Sequence, residues 1–384
     1  MKSIKVFFLS FFLSILSFLL VGCWNYRELE DMNIVAGTAI DKGINKEYMI
    51  SMEILEPSIG EDTPTTSRLI TSEGDSIFDA VRNAIAISGQ KLYWSHNKVL
   101  ILSKEIAQKG IIEILDWFHR DSETRSDVYI LISKENTAKE ILENEEKKDQ
   151  ITSFNLQDIL ANQKNLSKAP DIQIWKLTDD IINEGITAIA PAVKLTRLNN
   201  KTCPEILATA VFKNDKLIGF LDESETRSLL FLRNKIKGGL LDLNPENQNG
   251  IPTITLEIFE SKTKIQPVTK GNELEMNVNI NTIVSIAATK STKNFVTNEE
   301  VIKLEKDVSN LIKANCKKLI EKMQSEYGAD IFGFGAATHR REPALWKKIG
   351  ENWENVFENL KVHITVKVKI KNSAMTAKPI EVGD

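Results

Sequence analysis

The first half of the chain mixes short runs of alternating apolar and polar residues with longer segments whose apolar residues recur at helical spacing. Two alternating runs, 33–41 and 48–55, flank a segment that contains Gly43, which predicts a β-hairpin. A stretch rich in Pro, Thr and Ser at 57–67 predicts a loop. Further strands are predicted at 99–102 and 127–132, and helices at 77–87, 106–118, 137–148 and 151–166.

The second half has the pattern of a mainly antiparallel arrangement. The runs 208–212 and 217–221 pair across Lys213-Asn214-Asp215-Lys216, and a helix follows at 223–232. The closing run 361–371 alternates valine and isoleucine with lysine and histidine, which predicts a strand with one buried face and one basic face exposed to water. Other strands are predicted at 253–261, 262–267 and 274–288, and helices at 298–327 and 346–357.

These elements predict an α+β protein with mixed sheets and packed helices and no repeat of fixed period. A chain of 384 residues is long enough for two or three domains, at roughly 100–200 residues each. We expect a signal peptide over 1–22, an N-terminal mixed α/β region over 23–195 and a C-terminal α+β region over 196–384. The last region is expected to contain two subdomains, 196–270 and 271–371, and a short tail.

The amino terminus has the features of a bacterial lipoprotein leader. Lys2 and Lys5 precede an apolar run, 6–22, that is slightly shorter than the roughly 20 residues of a membrane-spanning helix. The run ends in Leu20-Val21-Gly22-Cys23, which has the small residues before a Cys that are typical of a lipobox. We expect cleavage after Gly22, S-diacylglycerol modification of the Cys23 sulfur and acylation of the new amino group. The alternative is an ordinary signal anchor with an incidental Cys.

Lipidation of Cys23 would hold the rest of the chain at a membrane surface. Each buried methylene contributes roughly 0.8 kcal/mol, and stable anchoring takes two acyl chains or one chain with a basic patch. A diacylglyceryl group supplies two chains, and no later apolar run approaches spanning length. We therefore expect the residues after Cys23 to lie in water on the outer face of the membrane. Trp24 suits either the lipid interface or a contact with a partner's transmembrane segment, and the sequence leaves both open.

Charge and cysteine content narrow the possible functions. The chain has 49 Lys+Arg and 53 Asp+Glu, a net charge of −4, and no dense basic stripe, which argues against nucleic acid as a partner. Cys203 and Cys316 are far apart in sequence and predict buried free thiols rather than a disulfide framework. No two cysteines have CxxC spacing, and we expect neither a metal nor a cofactor.

Possible catalytic motifs have simpler structural interpretations. Gly74-Asp75-Ser76 is similar to the opening of one esterase family, but its position and the lack of a late Asp-x-x-His favour a helix cap. The four histidines are scattered without metal-site spacing: His96, His119, His339 and His363. We expect no enzymatic activity.

Two motifs near the carboxyl terminus invite functional interpretations. Phe332-Gly333-Phe334-Gly335 lacks the Gly-Lys-Ser/Thr ending of a phosphate-binding loop, so we interpret it as a sharp turn with both rings in the core. The segment His339-Arg340-Arg341-Glu342-Pro343 is either a contact for a partner or lipid headgroup, or a solvated turn, and the solvated turn is favoured.

Several segments together resemble one family, the Ger(x)C (GerAC-type) spore germination lipoproteins, which are the C subunits of nutrient-germinant receptors. The resemblance is carried in order by Gly22–Leu29 with Ile34–Lys42, Leu92–Val99, Leu115–Asp121, Ala210–Leu221 with Glu225–Arg227, and Asp330–Gly335 with Pro343 and Leu345-Trp346. It covers essentially the whole chain, and is weakest over 133–191.

The resemblance implies a lipoprotein without attributed enzymatic activity. It would lie on the outer face of the spore's inner membrane beside two integral membrane partners, the A-type and B-type receptor subunits. A solute-binding lipoprotein that captures a small nutrient directly is the alternative, although the antiparallel second half differs from the two similar α/β lobes usual in that class. An exported hydrolase is the weakest candidate, because no nucleophile, base and orienting residue can be named.

Overall fold

A computed structural model describes residues 2–19, 32–56, 65–143, 151–199, 201–243, 254–271, 273–289 and 298–371. Helix α1 (Lys2–Leu19) covers most of the expected signal segment. Within the described ranges, none of the helices is both long and apolar enough to span a bilayer. Cys23, the expected lipidation site, and Trp24 lie outside the described residues.

A nine-stranded mixed sheet occupies the first part of the chain. Its strands are β1 (Met32–Lys42), β2 (Tyr48–Glu56), β3 (Thr66–Gly74), β4 (Lys91–Tyr93), β5 (Val99–Leu102), β6 (Tyr129–Ser133), β7 (Ile189–Leu198), β8 (Lys201–Lys213) and β9 (Lys216–Leu221). The helices that pack around it are α2 (Ile77–Ser88), α3 (Lys104–Lys109), α4 (Ile112–Arg120), α5 (Lys139–Leu142), α6 (Thr152–Ala161), α7 (Gln163–Leu166), α8 (Ile174–Ile182) and α9 (Glu223–Leu232).

The strand order of this sheet is β3-β2-β1-β5-β6-β7-β8-β9, with β4 beside the start of β1. The central pairs β1–β5, β5–β6 and β6–β7 are parallel, and the outer pairs are antiparallel. The central strands are apolar at consecutive positions because helices cover both faces, and all four residues of β5 are fully buried. Strand β7 of this sheet runs across the boundary expected at 195/196. The division of the chain into independent domains stays a prediction.

The second sheet has four strands in the order β10-β11-β12-β13: β10 (Leu240–Leu243), β11 (Ile254–Lys270), β12 (Glu273–Thr289) and β13 (Lys361–Ile370). Only the β12–β13 pair is parallel, which confirms a mainly antiparallel C-terminal half. One face packs against the long helix α10 (Asn298–Lys322), which continues as a π-helical turn to Tyr327. The remaining helices are α11 (Phe334–Arg341), α12 (Pro343–Ile349) and α13 (Trp353–Glu358).

Local chemistry explains why several helices begin and end where the sequence predicts. The Ser76 hydroxyl accepts a hydrogen bond from the Asp79 N–H at 3.1 Å and begins α2, which ends at Gly89 with a φ of 72°. Asp222 and Glu225 form a reciprocal capping box that begins α9.

Other predictions are corrected by the structure. The segment 106–118 contains two helices because Gly110, with a φ of 136°, separates α3 from α4. The strands predicted at 253–261 and 262–267 are one strand, β11, with a bulge between Ile258 and Glu260. Within the described residues, the helix predicted over 137–148 extends only over α5. Segment 346–357 is likewise broken, by a short 3-10 turn over Gly350–Asn352. The segment 339–343, expected to be a solvated turn, is exposed, but its first three residues are the last turn of helix α11. The elements that were not predicted are β3, β4, β7, α8, β10 and α11.

Candidate functional site

The structure separates the four histidines rather than bringing them into one site. His119 lies 3.0 Å from the Thr178 hydroxyl, and His363 lies 3.0 Å from the Glu275 carboxylate. His339 stacks on Trp346 with ring centroids 5.3 Å apart. His96 contacts the edge of Tyr93. Across the described ranges, no three His, Cys, Asp or Glu side chains are arranged to hold a metal ion.

The two described cysteines are both free, as expected. Cys316 is fully buried, and burial raises the pKa of its thiol to about 12, so the thiol stays protonated and unreactive at neutral pH. Cys203 is only half-buried, so the expectation of burial is wrong for this residue.

The Phe-Gly-Phe-Gly motif forms the sharp turn expected of it. Gly333 has a φ of 79°, a left-handed conformation that favours glycine. The rings of Phe332 and Phe334 are both buried, with centroids 5.1 Å apart. The motif therefore belongs to the core, and its backbone N–H groups also bind the carboxylate of Asp330.

The carboxylate of Asp330 is buried at the centre of this turn. It accepts hydrogen bonds from the backbone N–H groups of residues 332–335 at 2.8–3.2 Å. The indole N–H of Trp353 donates a fifth hydrogen bond at 3.1 Å. A carboxylate held by several N–H groups fixes the turn and positions the start of α11.

Arg233, which follows α9, connects this turn to the first sheet. Its Nη1 lies 3.2 Å from Oδ2 of Asp180 on α8, and its Nη2 donates to the Thr187 carbonyl at 2.9 Å. Its Nε donates to the carbonyl of Ile331. The Arg233 side chain is 8% exposed and the Asp180 side chain 1% exposed. We name Arg233, Asp180 and Asp330 the charged joint, because they link helix α8 and the end of α9 to the turn that begins α11.

The electrostatics of the charged joint follow from burial. Burial raises the pKa of Asp330, while the N–H donors of the turn and of Trp353 act in the opposite direction. Burial lowers the pKa of Arg233, and Asp180 and Asp330 oppose that effect. A guanidinium keeps its proton in proteins, so the joint holds a buried positive charge between two acidic side chains.

A polar cleft of about 290 Å³ lies beside the charged joint. Lys213 and Glu354, which both line the cleft, form an ion pair at 2.8 Å, and Glu184, another lining residue, accepts a hydrogen bond from the Trp346 indole N–H at 2.9 Å. The lining consists mainly of carboxylates, amides and backbone, without a nucleophile beside a base among the described residues. These contacts hold separate segments of the chain together at the cleft.

Sequence reasoning missed the charged joint. Arg233 lies 53 residues from Asp180 and 46 residues from Thr187 along the chain, and α8 was not predicted at all. The one available signal was Asp330, two residues before the start of the Phe-Gly-Phe-Gly motif, since an acidic residue before a glycine-containing turn can accept its free N–H groups.

Comparisons with known proteins identify the family. Residues 25–195 match the model described as the spore germination protein N-terminal domain, and residues 208–374 match the model described as spore germination B3/GerAC like, C-terminal. Spore germination protein B3 of Bacillus subtilis (strain 168) is 25% identical over 388 residues, which cover 98% of this chain and 100% of that protein. Spore germination protein YndF of the same organism is 25% identical, over 91% of this chain and 92% of its own length.

A solved structure shares the fold. The crystal structure of the GerBC protein has a TM-score of 0.59 and 22% sequence identity, and the match covers 87% of this chain and 96% of that one. The two family models match nearly all of the chain between residues 25 and 374, which confirms the resemblance noted from the sequence motifs. The protein belongs to the spore germination B3/GerAC-like family.

Proposed function

We propose that this chain is the lipid-anchored subunit of a spore nutrient-germinant receptor and is required for nutrient-triggered germination. The supporting observation is that proteins named for spore germination match it over more than nine tenths of both chains. Diacylglycerol on Cys23, after cleavage following Gly22, would hold the chain on the outer face of the spore's inner membrane. There it would assemble with two integral membrane subunits, of the A and B types.

The role proposed for the folded part is to bind and position these partners, without enzymatic activity. The charged joint supports this proposal, because its polar atoms are occupied by other parts of the same chain. A buried, internally paired network suits holding the two sheets in a fixed relation. A subunit that positions neighbours needs that rigidity more than it needs a reactive group.

The anchor is tested by replacing Cys23 with Ala in spores. We expect the variant protein to leave the membrane fraction and the germination response to nutrient to fall strongly, because the acyl chains supply the membrane affinity. Cys203→Ala, a half-buried cysteine in β8, is the matched control and should leave both unchanged. A normal response from spores whose Cys23→Ala protein is recovered as a soluble species would remove lipid anchoring from the mechanism.

The solute-binding alternative is tested with the purified protein. The two sheets differ in size and topology, unlike a pair of similar lobes, which supports the receptor-subunit proposal. Titration calorimetry with amino acids, sugars and nucleosides should therefore give no tight one-to-one binding. Saturable binding of one such nutrient would favour the alternative.

A further inference from the structure

One face of the four-stranded sheet consists mainly of exposed and half-buried residues. On the central strand β12, Met276, Val278 and Ile280 are buried in the core shared with α10. The alternate residues Asn277, Asn279 and Asn281 are half-buried or exposed on the opposite face. This face carries no apolar row, so it differs from a sheet face that another domain covers.

Cationic side chains flank the asparagine row on both sides. The strand register places Lys262 and Lys367 on either side of Asn281, and Lys264 beside Asn279. Lys369 lies two residues after Lys367 on the same face of β13, opposite Ile283 of β12. We name Lys262, Lys264, Lys367 and Lys369 the lysine face.

Three of these four lysines have no ion-pair partner in the part of the chain that the structure describes. Lys262 pairs with Glu260, and its side chain is 77% exposed. Among the described residues, no ion pair neutralises Lys264, Lys367 or Lys369. The surplus is local, because the whole chain has a net charge of −4.

Part of the lysine face forms an open trough of about 570 Å³. Lys262, Lys367 and Lys369 line it together with Asn281. Two carboxylates also line it, but Glu260 is paired with Lys262, and Glu305 accepts the backbone N–H of Ile370. Ammonium groups with an amide around an open trough have the chemistry that binds a phosphate group.

We propose that the lysine face docks onto an anionic membrane surface, with lipid phosphate groups in the trough. The proposal rests on the proposed membrane anchoring, since a chain tethered at Cys23 meets lipid at high local concentration. On an otherwise acidic protein, one cationic face would set the orientation of the folded part relative to the bilayer. Phe259, 57% exposed at the bulge of β11, adds an aromatic side chain of the kind enriched at lipid interfaces.

An acidic protein partner fits the face less well. Tight protein–protein interfaces depend on buried aromatic or arginine anchors that fill pockets. Besides Glu260, Glu275, Val268 and Ile283, the rows across β11, β12 and β13 on this face present asparagine, glutamine, lysine, threonine and histidine, without an aromatic or arginine side chain. The lysine face, with its lysine side chains on neighbouring strands, suits a membrane surface that presents many phosphate groups.

Vesicle flotation tests the proposal with the full chain carrying Cys23→Ala, so that no acyl group contributes. Binding is compared on phosphatidylcholine vesicles with and without phosphatidylglycerol, in this background and with Lys264→Gln, Lys367→Gln and Lys369→Gln added. We expect the added substitutions to weaken binding to the phosphatidylglycerol vesicles about a hundredfold, and the difference to shrink as salt rises. Residues 1–22 are common to all variants, so their own lipid affinity cancels.

The matched control changes three exposed lysines of α10, Lys313, Lys317 and Lys318, to Gln. It has the same net charge as the test variant and should bind as the background does. Circular dichroism of both variants establishes that each is folded. An equal loss of binding to phosphatidylglycerol vesicles in the two variants, or no loss of binding in the lysine-face variant, would overturn the proposal. Because no lipid is attached to the protein, this result is independent of the germination test of Cys23.

Discussion

Several buried charged residues determine how separate parts of this chain are held together. Asp330 accepts N–H groups of its own turn, whereas Glu53 and Asp41 accept N–H groups from residues about a hundred positions away. Arg233 is the cation of this set, 8% exposed and bonded to two distant carbonyl groups and to Asp180. Removing such a group takes a hydrogen-bond partner away from buried polar atoms, which is costly.

The substitution Arg233→Met tests the charged joint. We expect it to lower the free energy of unfolding by about 1–3 kcal/mol, because two backbone carbonyl groups lose their guanidinium donor and Asp180 keeps only its ion pair with Lys176. The measurement is urea denaturation followed by circular dichroism. The control Arg340→Met changes an exposed arginine on α11 and should shift the same quantity by no more than about 0.5 kcal/mol. Equal free energies of unfolding for the two variants would show that the charged joint contributes nothing to the stability of the fold.

At the scale of elements, Glu53 is the connection between strand β2 and helix α6. Its carboxylate is 3% exposed and accepts the N–H groups of Thr152 and Ser153 at 2.9 Å, together with the Ser153 hydroxyl. The helix therefore begins on a negative charge supplied by the sheet, which suits the positive end of its dipole.

The substitution Glu53→Gln should loosen α6 specifically. We expect a loss of about 1–3 kcal/mol in the free energy of unfolding, because an amide cannot accept all of these hydrogen bonds. Hydrogen exchange should become faster across α6 before it changes in the sheet. Glu56→Gln, an exposed position on the same strand, is the control and should leave α6 exchange unchanged. Unaltered α6 protection in Glu53→Gln would contradict this role of the carboxylate.

Elements with strong local signals were predictable from the sequence. The hairpin of β8 and β9 has Asn214 at its turn with a φ of 55°, and helix α9 has its capping residues directly before an apolar run. The basic exposed side of β13 was also foreseen, because period-two alternation is a property of the sequence alone.

The missed elements lacked such local signals. Strand β3 is largely polar because it forms an edge of the sheet, so its pattern is that of a loop. Helix α8 extends over only nine residues and has no side-chain cap. The charged joint depends on residues brought together by both sheets, and no local pattern places Asp180 beside Arg233.

At the scale of the whole molecule, the two sheets share one contiguous apolar core. Buried residues of β2 and β12, such as Ile50 and Val278, belong to the same cluster. The charged joint lies within this continuous structure. In the proposed receptor, such a body would couple the membrane anchor, the lysine face and the integral partners.

The most direct test of the proposed function is affinity purification of the native protein from detergent-solubilised spore membranes, with identification of the proteins that accompany it. The account predicts that two integral membrane subunits, one of the A type and one of the B type, are recovered in amounts comparable to this chain. Recovery of the protein alone, or from the soluble fraction with no membrane subunit, would contradict it.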